Sequence, residues 1–140
     1  MNNEGIAYAD PEELAGLAAL CTWEEESATL YARLARRIPR HQQTLLTLRK
    51  ENREYAACLR GIYRLLSGNP PRISDPAVPD IPMDSALLRC FSRELQCAAG
   101  YRRRQDHPEF SGVFSQMLRE KDRHGFLLLQ VLGSLPPAGH

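Results

Sequence analysis

Two segments of this chain place a glutamate two helical turns before a tyrosine on a face that is otherwise apolar. The first runs from Glu24 to Tyr31 and the second from Glu94 to Tyr101. Residues three, four and seven apart share one face of a helix, so both carboxylates are expected to point into a core. Burying a carboxylate without a partner is costly, and the two glutamates therefore require a metal, a cation or a shared proton.

Helix start and stop signals divide the chain into four helices. Asp10 and Pro11 form a strong helix start, Pro39 prevents the first helix from continuing, and Gly68 is suited to end the second. The segment 68–82 contains five of the ten prolines and is predicted to be an extended connection. The predicted helices span residues 11–38, 41–67, 84–105 and 108–133, with 68–83 as a crossover.

The length of this connection predicts the topology. A chain that leaves one helical hairpin and crosses the bundle to begin another needs such a span. Glu24 and Tyr55 are 31 residues apart, and Glu94 and His124 are 30 apart, which suggests two similar hairpins. The prediction is an all-α, antiparallel four-helix bundle that forms a single domain over residues 1–140.

Composition and charge give no sign of a general attraction to nucleic acid or membrane. The formal net charge of +1 predicts no general attraction to nucleic acid or membrane. The first residues lack the basic and apolar parts of a secretory signal, and no apolar run approaches the roughly 20 residues that span a bilayer. We therefore expect a cytoplasmic protein.

Cysteines and arginines carry no recognition motif. The four cysteines include no Cys-x-x-Cys pair and are expected to be buried, reduced thiols. Two arginine clusters lie near the C-terminal ends of the first and third helices and are expected to complement the helix dipoles rather than to bind nucleic acid. No catalytic motif appears in the chain. The clusters comprise Arg33, Arg36, Arg37 and Arg40, and Arg102 to Arg104.

Three stretches carry a resemblance to a known family. They are E-E-E-S-A-T-L-Y-A-R-L-A at 24–35, E-L-Q-C-A-A-G-Y at 94–101 and R-E-K-D-R-H-G-F-L-L-L at 119–129. With them the chain resembles the ferritin-like superfamily, specifically rubrerythrin-type four-helix-bundle domains. The resemblance implies metal-handling or peroxide-related activity at a di-metal site. Such a site takes one glutamate from each of two helices and a Glu-x-x-His from each of the other two.

Half of the six ligands that the resemblance implies are replaced in this chain. Glu24 and Glu94 match the lone glutamates, and His124 matches one histidine, so these three are the candidate metal ligands. Asn52 and Lys121 stand where the bridging glutamates should be, and Tyr55 stands in place of the other histidine. These three residues are expected to line the site, together with Tyr31 and Tyr101.

The sequence leaves two features of the site open. Lys121 either points inward, where its ammonium replaces the charge of a metal, or extends outward along its aliphatic stem. Glutamates one residue away from the expected ligand positions are further possible ligands, but a shift of one residue turns a side chain by about 100 degrees around a helix. The alternative is that these further residues form a solvated face with salt bridges to nearby arginines. They are Glu51, Glu54 and Glu120.

The expected function follows from this incomplete ligand set. We expect either no cofactor or one weakly bound divalent ion, such as iron, manganese or zinc, rather than a di-iron centre. Oxidoreductase activity would require a loaded, atypical site and a separate electron donor. The alternatives are a metal-free structural or protein-interaction bundle, and a bundle that binds a partner helix or nucleic acid through its arginines. Self-association as a homodimer is also expected.

Overall fold

Four α-helices make up most of the chain. The computed structural model describes residues 10–73, 75 and 77–137. These residues contain no strand, which confirms the all-helical class. Residues 1–9, which form most of the segment for which we predict no secretory signal, lie outside them. The elements are α1 (Pro11–Arg37), a 3-10 turn (Pro39–His41), α2 (Gln42–Ser67), α3 (Met83–Arg102) and α4 (Ser111–Ser134).

The ends of α1 and α2 follow from local chemistry. The Asp10 side chain accepts a hydrogen bond from the Glu12 backbone N–H at 3.0 Å, and Pro11 occupies the first turn. Gly68 ends α2 with φ of 83°, a left-handed conformation that glycine adopts without a steric penalty. The predicted boundaries of these two helices hold to within one residue.

The connection between α3 and α4 is longer than predicted. α3 ends at Arg102 rather than 105, and α4 begins at Ser111 rather than 108. Beyond Arg103, backbone N–H groups donate to carbonyls three residues earlier instead of four. The His107 ring accepts hydrogen bonds from the N–H groups of Glu109 and Phe110. A residue before proline disfavours the helical conformation, so a helix is not favoured at His107, which precedes Pro108.

The core consists of two apolar clusters separated by a polar layer. α1 packs against α2 and α3, and α3 packs against α4. One cluster includes Leu17, Leu59 and Phe114, and the other includes Leu34 and Leu87. Each helix contributes to both clusters, and between its two contributions it carries the polar residues that form the layer. These buried polar residues are Glu24, Asn52, Glu94, Lys121 and His124.

The connection from α2 to α3 lies along the α1 surface. Arg33 donates to the carbonyls of Val78 and Pro79, both at 3.0 Å, and Arg37 donates to the Ile81 carbonyl at 3.1 Å. Part of the first arginine cluster therefore fixes the crossover in place. Within the described residues, no helix is both long enough and apolar enough to cross a membrane.

The four cysteines are free thiols, but they are not all buried. Cys21, Cys90 and Cys97 are buried, and burial raises the pKa of Cys21 to about 11. The prediction that every cysteine is buried is wrong for Cys58, which is exposed on α2. It lies one residue before Leu59 of the core stripe, so it turns out of the bundle.

Candidate functional site

Lys121 is the centre of the polar layer. Its side chain is fully buried, with Nζ 2.6 Å from Glu24 Oε1 and 2.8 Å from Glu94 Oε1. The outward orientation considered from the sequence is therefore wrong. Lys121 lies on the face of α4 that also carries the buried residues Phe114, Met117 and Leu128, and this placement directs its stem into the bundle.

The tyrosine of each repeated segment contacts the glutamate of the other segment, across the α1–α3 interface. Tyr31 of α1 donates a hydrogen bond to Glu94 Oε2, and Tyr101 of α3 donates to Glu24 Oε2. Both tyrosines are fully buried, and burial together with the adjacent carboxylate raises the pKa of each well above its ordinary value. Each carboxylate is thus held by one hydroxyl and by the ammonium of Lys121.

α2 contributes an amide and an aromatic ring to the same cluster. Asn52 Oδ1 accepts a hydrogen bond from Lys121 Nζ at 3.4 Å, and Nζ lies 4.9 Å from the centre of the Tyr55 ring. An ammonium over an aromatic face is attracted by the negative charge of the π system. Asn52 Nδ2 has no hydrogen-bond partner among the described residues.

His124 connects the buried cluster to the edge of the bundle. Its ring is fully buried, with Nδ1 3.3 Å from Glu94 Oε2 and Nε2 2.8 Å from Glu51 Oε1. The Tyr55 ring is tilted against it, with the ring centres 5.8 Å apart. The histidine is therefore a hydrogen-bonded core residue that faces one carboxylate on each side.

The buried cluster contains two carboxyl groups and one ammonium. Burial raises the pKa of Glu24 above its ordinary value. Burial also opposes ionisation of Glu94, but Lys121 and His124 outweigh it and lower the pKa of Glu94 to about 2. The carboxylates in turn outweigh the burial of Lys121 and raise its pKa. Glu94 and Lys121 are therefore ionised at neutral pH, and Glu24 is the carboxyl that holds a proton more readily.

A second group of possible ligands lies at the bundle edge. The nearest ligand atoms of Glu51, Glu120 and His124 all lie within 4.8 Å of one another. Arg123 donates to Glu51 and, at 2.7 Å, to Glu120, so the salt bridges expected for these two glutamates are present. Glu54 is not part of the group: it is exposed and pairs with Lys50 at 3.3 Å, a lysine rather than an arginine.

Sequence reasoning missed one buried acidic residue. Glu26 is buried between α1 and α3, where it pairs with Arg89 at 3.2 Å and Arg93 at 3.0 Å. Burial opposes its ionisation, but the two arginines outweigh this and lower the pKa of Glu26. The available signal was the four-residue spacing of the arginines, which places both on one face of α3.

The residues present do not fit the di-metal site that the resemblance implies. Lys121 Nζ stands between the two carboxylates that would bind the ions, and no carboxylate occupies position 52 or 121. Two divalent ions there would lack bridging ligands and would lie against a positive charge.

Comparison with known proteins gives no match to this chain, whether with family models, with curated proteins or with solved structures.

Proposed function

We propose that this chain is a ferritin-like bundle, related to rubrerythrin-type domains, in which the ammonium of Lys121 replaces the charge of the metal site. The bundle then acts as a binding or interaction protein and not as a di-iron oxidoreductase. The observation that carries this proposal is the fully buried ammonium, 2.6 Å from Glu24 and 2.8 Å from Glu94. It neutralises the charge that metal ions would otherwise have to neutralise.

Contacts along α1 and α2 support the antiparallel arrangement within the proposal. Cys21, in the first half of α1, donates to the carbonyl of Ala56, in the second half of α2. Near the other end, Gln42 at the start of α2 donates to the carbonyl of Ala35 near the end of α1. This order of contacts supports a helical hairpin.

The second helix pair has the same order of contacts. Tyr101 near the end of α3 stacks on Phe114 near the start of α4, with ring centres 6.2 Å apart. Phe91, in the first half of α3, lies beside Gly125 in the second half of α4. These contacts support two hairpins joined by the 68–82 connection, as the proposed ferritin-like topology requires.

Restoring the missing carboxylates tests the proposal. A variant carrying both Asn52→Glu and Lys121→Glu regains the two bridging positions that the family resemblance implies. We expect it to bind Mn²⁺ or Fe²⁺ and to gain thermal stability when either ion is added, because the ions would neutralise four buried carboxylates. Calorimetric titration and metal-dependent unfolding temperatures measure this effect.

The control variant makes the same change in charge on exposed positions of α4, through Gln116→Glu and Arg119→Glu. It should bind metal no better than the natural protein. The proposal fails if the restored variant folds, as judged by its helical circular dichroism, and gains no more metal binding than this control. It also fails if the natural protein binds two ions tightly.

A single divalent ion at the bundle edge is the second candidate function. The convergence of Glu51, Glu120 and His124 supports it, and Arg123 opposes it by occupying both carboxylates. Arg123→Gln should therefore strengthen Zn²⁺ binding, and Glu120→Gln should abolish that gain. If neither variant changes Zn²⁺ affinity, this candidate is wrong and the three residues form only a salt-bridged surface.

Self-association as a homodimer remains part of the proposal. Two pairs of large apolar side chains are exposed on the neighbouring helices α3 and α4: Leu88 and Leu95, and Phe126 and Leu129. Burial of these side chains against a second copy would remove apolar surface from water. Sedimentation equilibrium should show a dimer that Leu95→Gln and Phe126→Gln weaken; a monomer at all concentrations would contradict this part of the proposal.

A further inference from the structure

A groove of about 420 Å³ lies on the outer surface of α1 and α2, beside the crossover. Ala28 and Ala32 of α1 are among its lining residues, and Ile73 and Asp75 of the crossover also line it. Its volume lies within the range of about 300–1,000 Å³ that is typical of small-molecule sites. Because Glu24 and Lys121 point into the bundle, this groove is separate from the buried cluster.

The groove concentrates positive charge in a chain that is nearly neutral overall. Five arginines line it, against only two acidic residues, Glu25 and Asp75, whereas the whole chain has a formal net charge of +1. The groove therefore carries an excess of three positive charges. The five arginines are Arg33, Arg36, Arg49, Arg53 and Arg60.

Among the described residues, two of these arginines have structural partners and three have none. Arg60 pairs with Glu25, and Arg33 holds the crossover carbonyls. Within the part of the chain that the structure describes, no side-chain hydrogen bond or ion pair is formed by the other three, Arg36, Arg49 and Arg53. Arg49 and Arg53 lie one turn apart on α2, and Arg36 faces the same groove from α1.

We propose that this groove binds a small anion that carries two or more phosphate groups. The planar guanidinium group forms paired hydrogen bonds with phosphate oxygens, and three guanidinium groups that have no partner among the described residues offer several such pairs. Converging like charges repel one another, and a bound polyanion removes that repulsion. None of the described residues that line the groove is aromatic, so they offer no ring on which bases could stack, and the groove suits a compact anion better than a nucleic acid strand.

This inference goes beyond the proposed function and depends only on the surface formed by α1, α2 and the adjoining crossover. It holds whether or not the bundle interior binds metal. Conversely, the metal-restoring variant tests the interior without changing any arginine of the groove. Failure of one proposal can therefore be distinguished from failure of the other.

Calorimetric titration with tripolyphosphate, pyrophosphate and citrate tests the inference. We expect tripolyphosphate and pyrophosphate to bind more tightly than the carboxylate anion. The variant Arg49→Gln with Arg53→Gln should lose at least about tenfold in affinity, because it removes two charge-assisted phosphate contacts. The matched control, Arg64→Gln with Arg119→Gln, makes the same change in charge at exposed positions outside the groove. It should change the affinity by less than about twofold.

Three results would overturn the inference. The first is that none of the three anions binds. The second is an equal loss of affinity in the groove and control variants, which would indicate only general attraction to positive charge. The third is that a short RNA or DNA oligonucleotide binds more tightly than tripolyphosphate and is weakened equally by both variants, which would indicate a diffuse nucleic-acid surface.

Discussion

The Lys121 cluster is stable only while its opposite charges remain paired. Removing a lysine or a carboxylate from water is costly, and the attraction between Lys121 and its two glutamates offsets that cost only while all the partners are present. Tyr31 and Tyr101 add hydroxyl donors to the carboxylates. The loss of any one member should therefore affect the stability of the whole bundle.

Replacing Lys121 with methionine should lower the free energy of unfolding by about 3–5 kcal/mol near neutral pH, because two buried carboxylates lose their cation. Urea unfolding followed by circular dichroism measures this change. The loss should be smaller near pH 4, because without the ammonium the folded-state pKa of Glu94 rises above its unfolded value, and the pKa of Glu24, which burial already raises, rises further. As the pH falls below these raised folded-state pKa values, the two carboxyls become protonated and the Lys121→Met variant regains stability.

Arg119→Met on the exposed face of the same helix is the control for this variant. It should change the free energy of unfolding by less than about 0.5 kcal/mol. Equal stability of the Lys121→Met variant and the natural protein would show that the ammonium does not neutralise the two carboxylates.

Tyr31→Phe and Tyr101→Phe should each lower the free energy of unfolding by about 1–3 kcal/mol, since each removes a hydroxyl donor from a buried carboxylate. Tyr63→Phe is a suitable comparison, because that hydroxyl makes no side-chain hydrogen bond within the described residues and Tyr63 is only half-buried. Thermal unfolding measures all three variants. Identical losses in all three would contradict the assigned tyrosine contacts.

At the scale of single residues, helical spacing predicted which side chains point inward but not which atoms meet. Glu24, Glu94 and His124 lie on apolar stripes, and the structure brings them together. The sequence could not show that each tyrosine contacts the glutamate of the other helix, because that depends on how α1 packs against α3. It also placed Glu51 at the edge of the stripe, where its length still lets it contact the His124 ring.

At the scale of helices, α1 and α3 approach closely at a glycine. A Cβ atom added to Gly100 would lie 2.7 Å from Leu20 Cδ2, and Leu20 is buried. This close approach explains why glycine occupies a buried position near the end of a helix, where alanine would otherwise be favoured.

Gly100→Ala should lower the free energy of unfolding by about 1–2 kcal/mol, because overpacking against Leu20 outweighs the gain in helix propensity. Gly61→Ala, on the exposed face of α2 with no atom within 4 Å of the added Cβ, should instead raise it by about 0.5–1 kcal/mol. Urea unfolding of both variants gives the comparison. Stabilisation by Gly100→Ala would show that the helices can move apart without cost.

Helix ends were predictable where a single residue determines them. Gly68 and the pair Asp10 and Pro11 act through their own backbone and side-chain chemistry, and those ends are correct. The turn after Arg102 was predicted too short, because its length depends on the His107 ring accepting backbone N–H groups. Such a contact has no clear sequence pattern.

For the whole molecule, the charge state of Glu94 should appear in the acid stability. Its pKa is lowered to about 2 from the ordinary value of 4.5, so the stability it contributes is present above pH 4.5 and is lost as the pH falls towards 2. Within that window the Glu94→Gln variant should lose stability with falling pH less steeply than the natural protein, by up to about 1.4 kcal/mol per pH unit. Urea unfolding across this range measures the slope, and equal slopes would contradict the assigned ionisation of Glu94.

For the whole molecule, we propose that a lysine ammonium takes the place of a di-metal site. Elemental analysis of purified protein, from cells grown with iron, manganese and zinc, tests it most directly. We predict no tightly bound metal pair and at most about one weakly held divalent ion per chain, because Lys121 occupies the position between the carboxylates. Two tightly bound irons per chain, with the visible absorption of an oxo-bridged pair, would contradict the account.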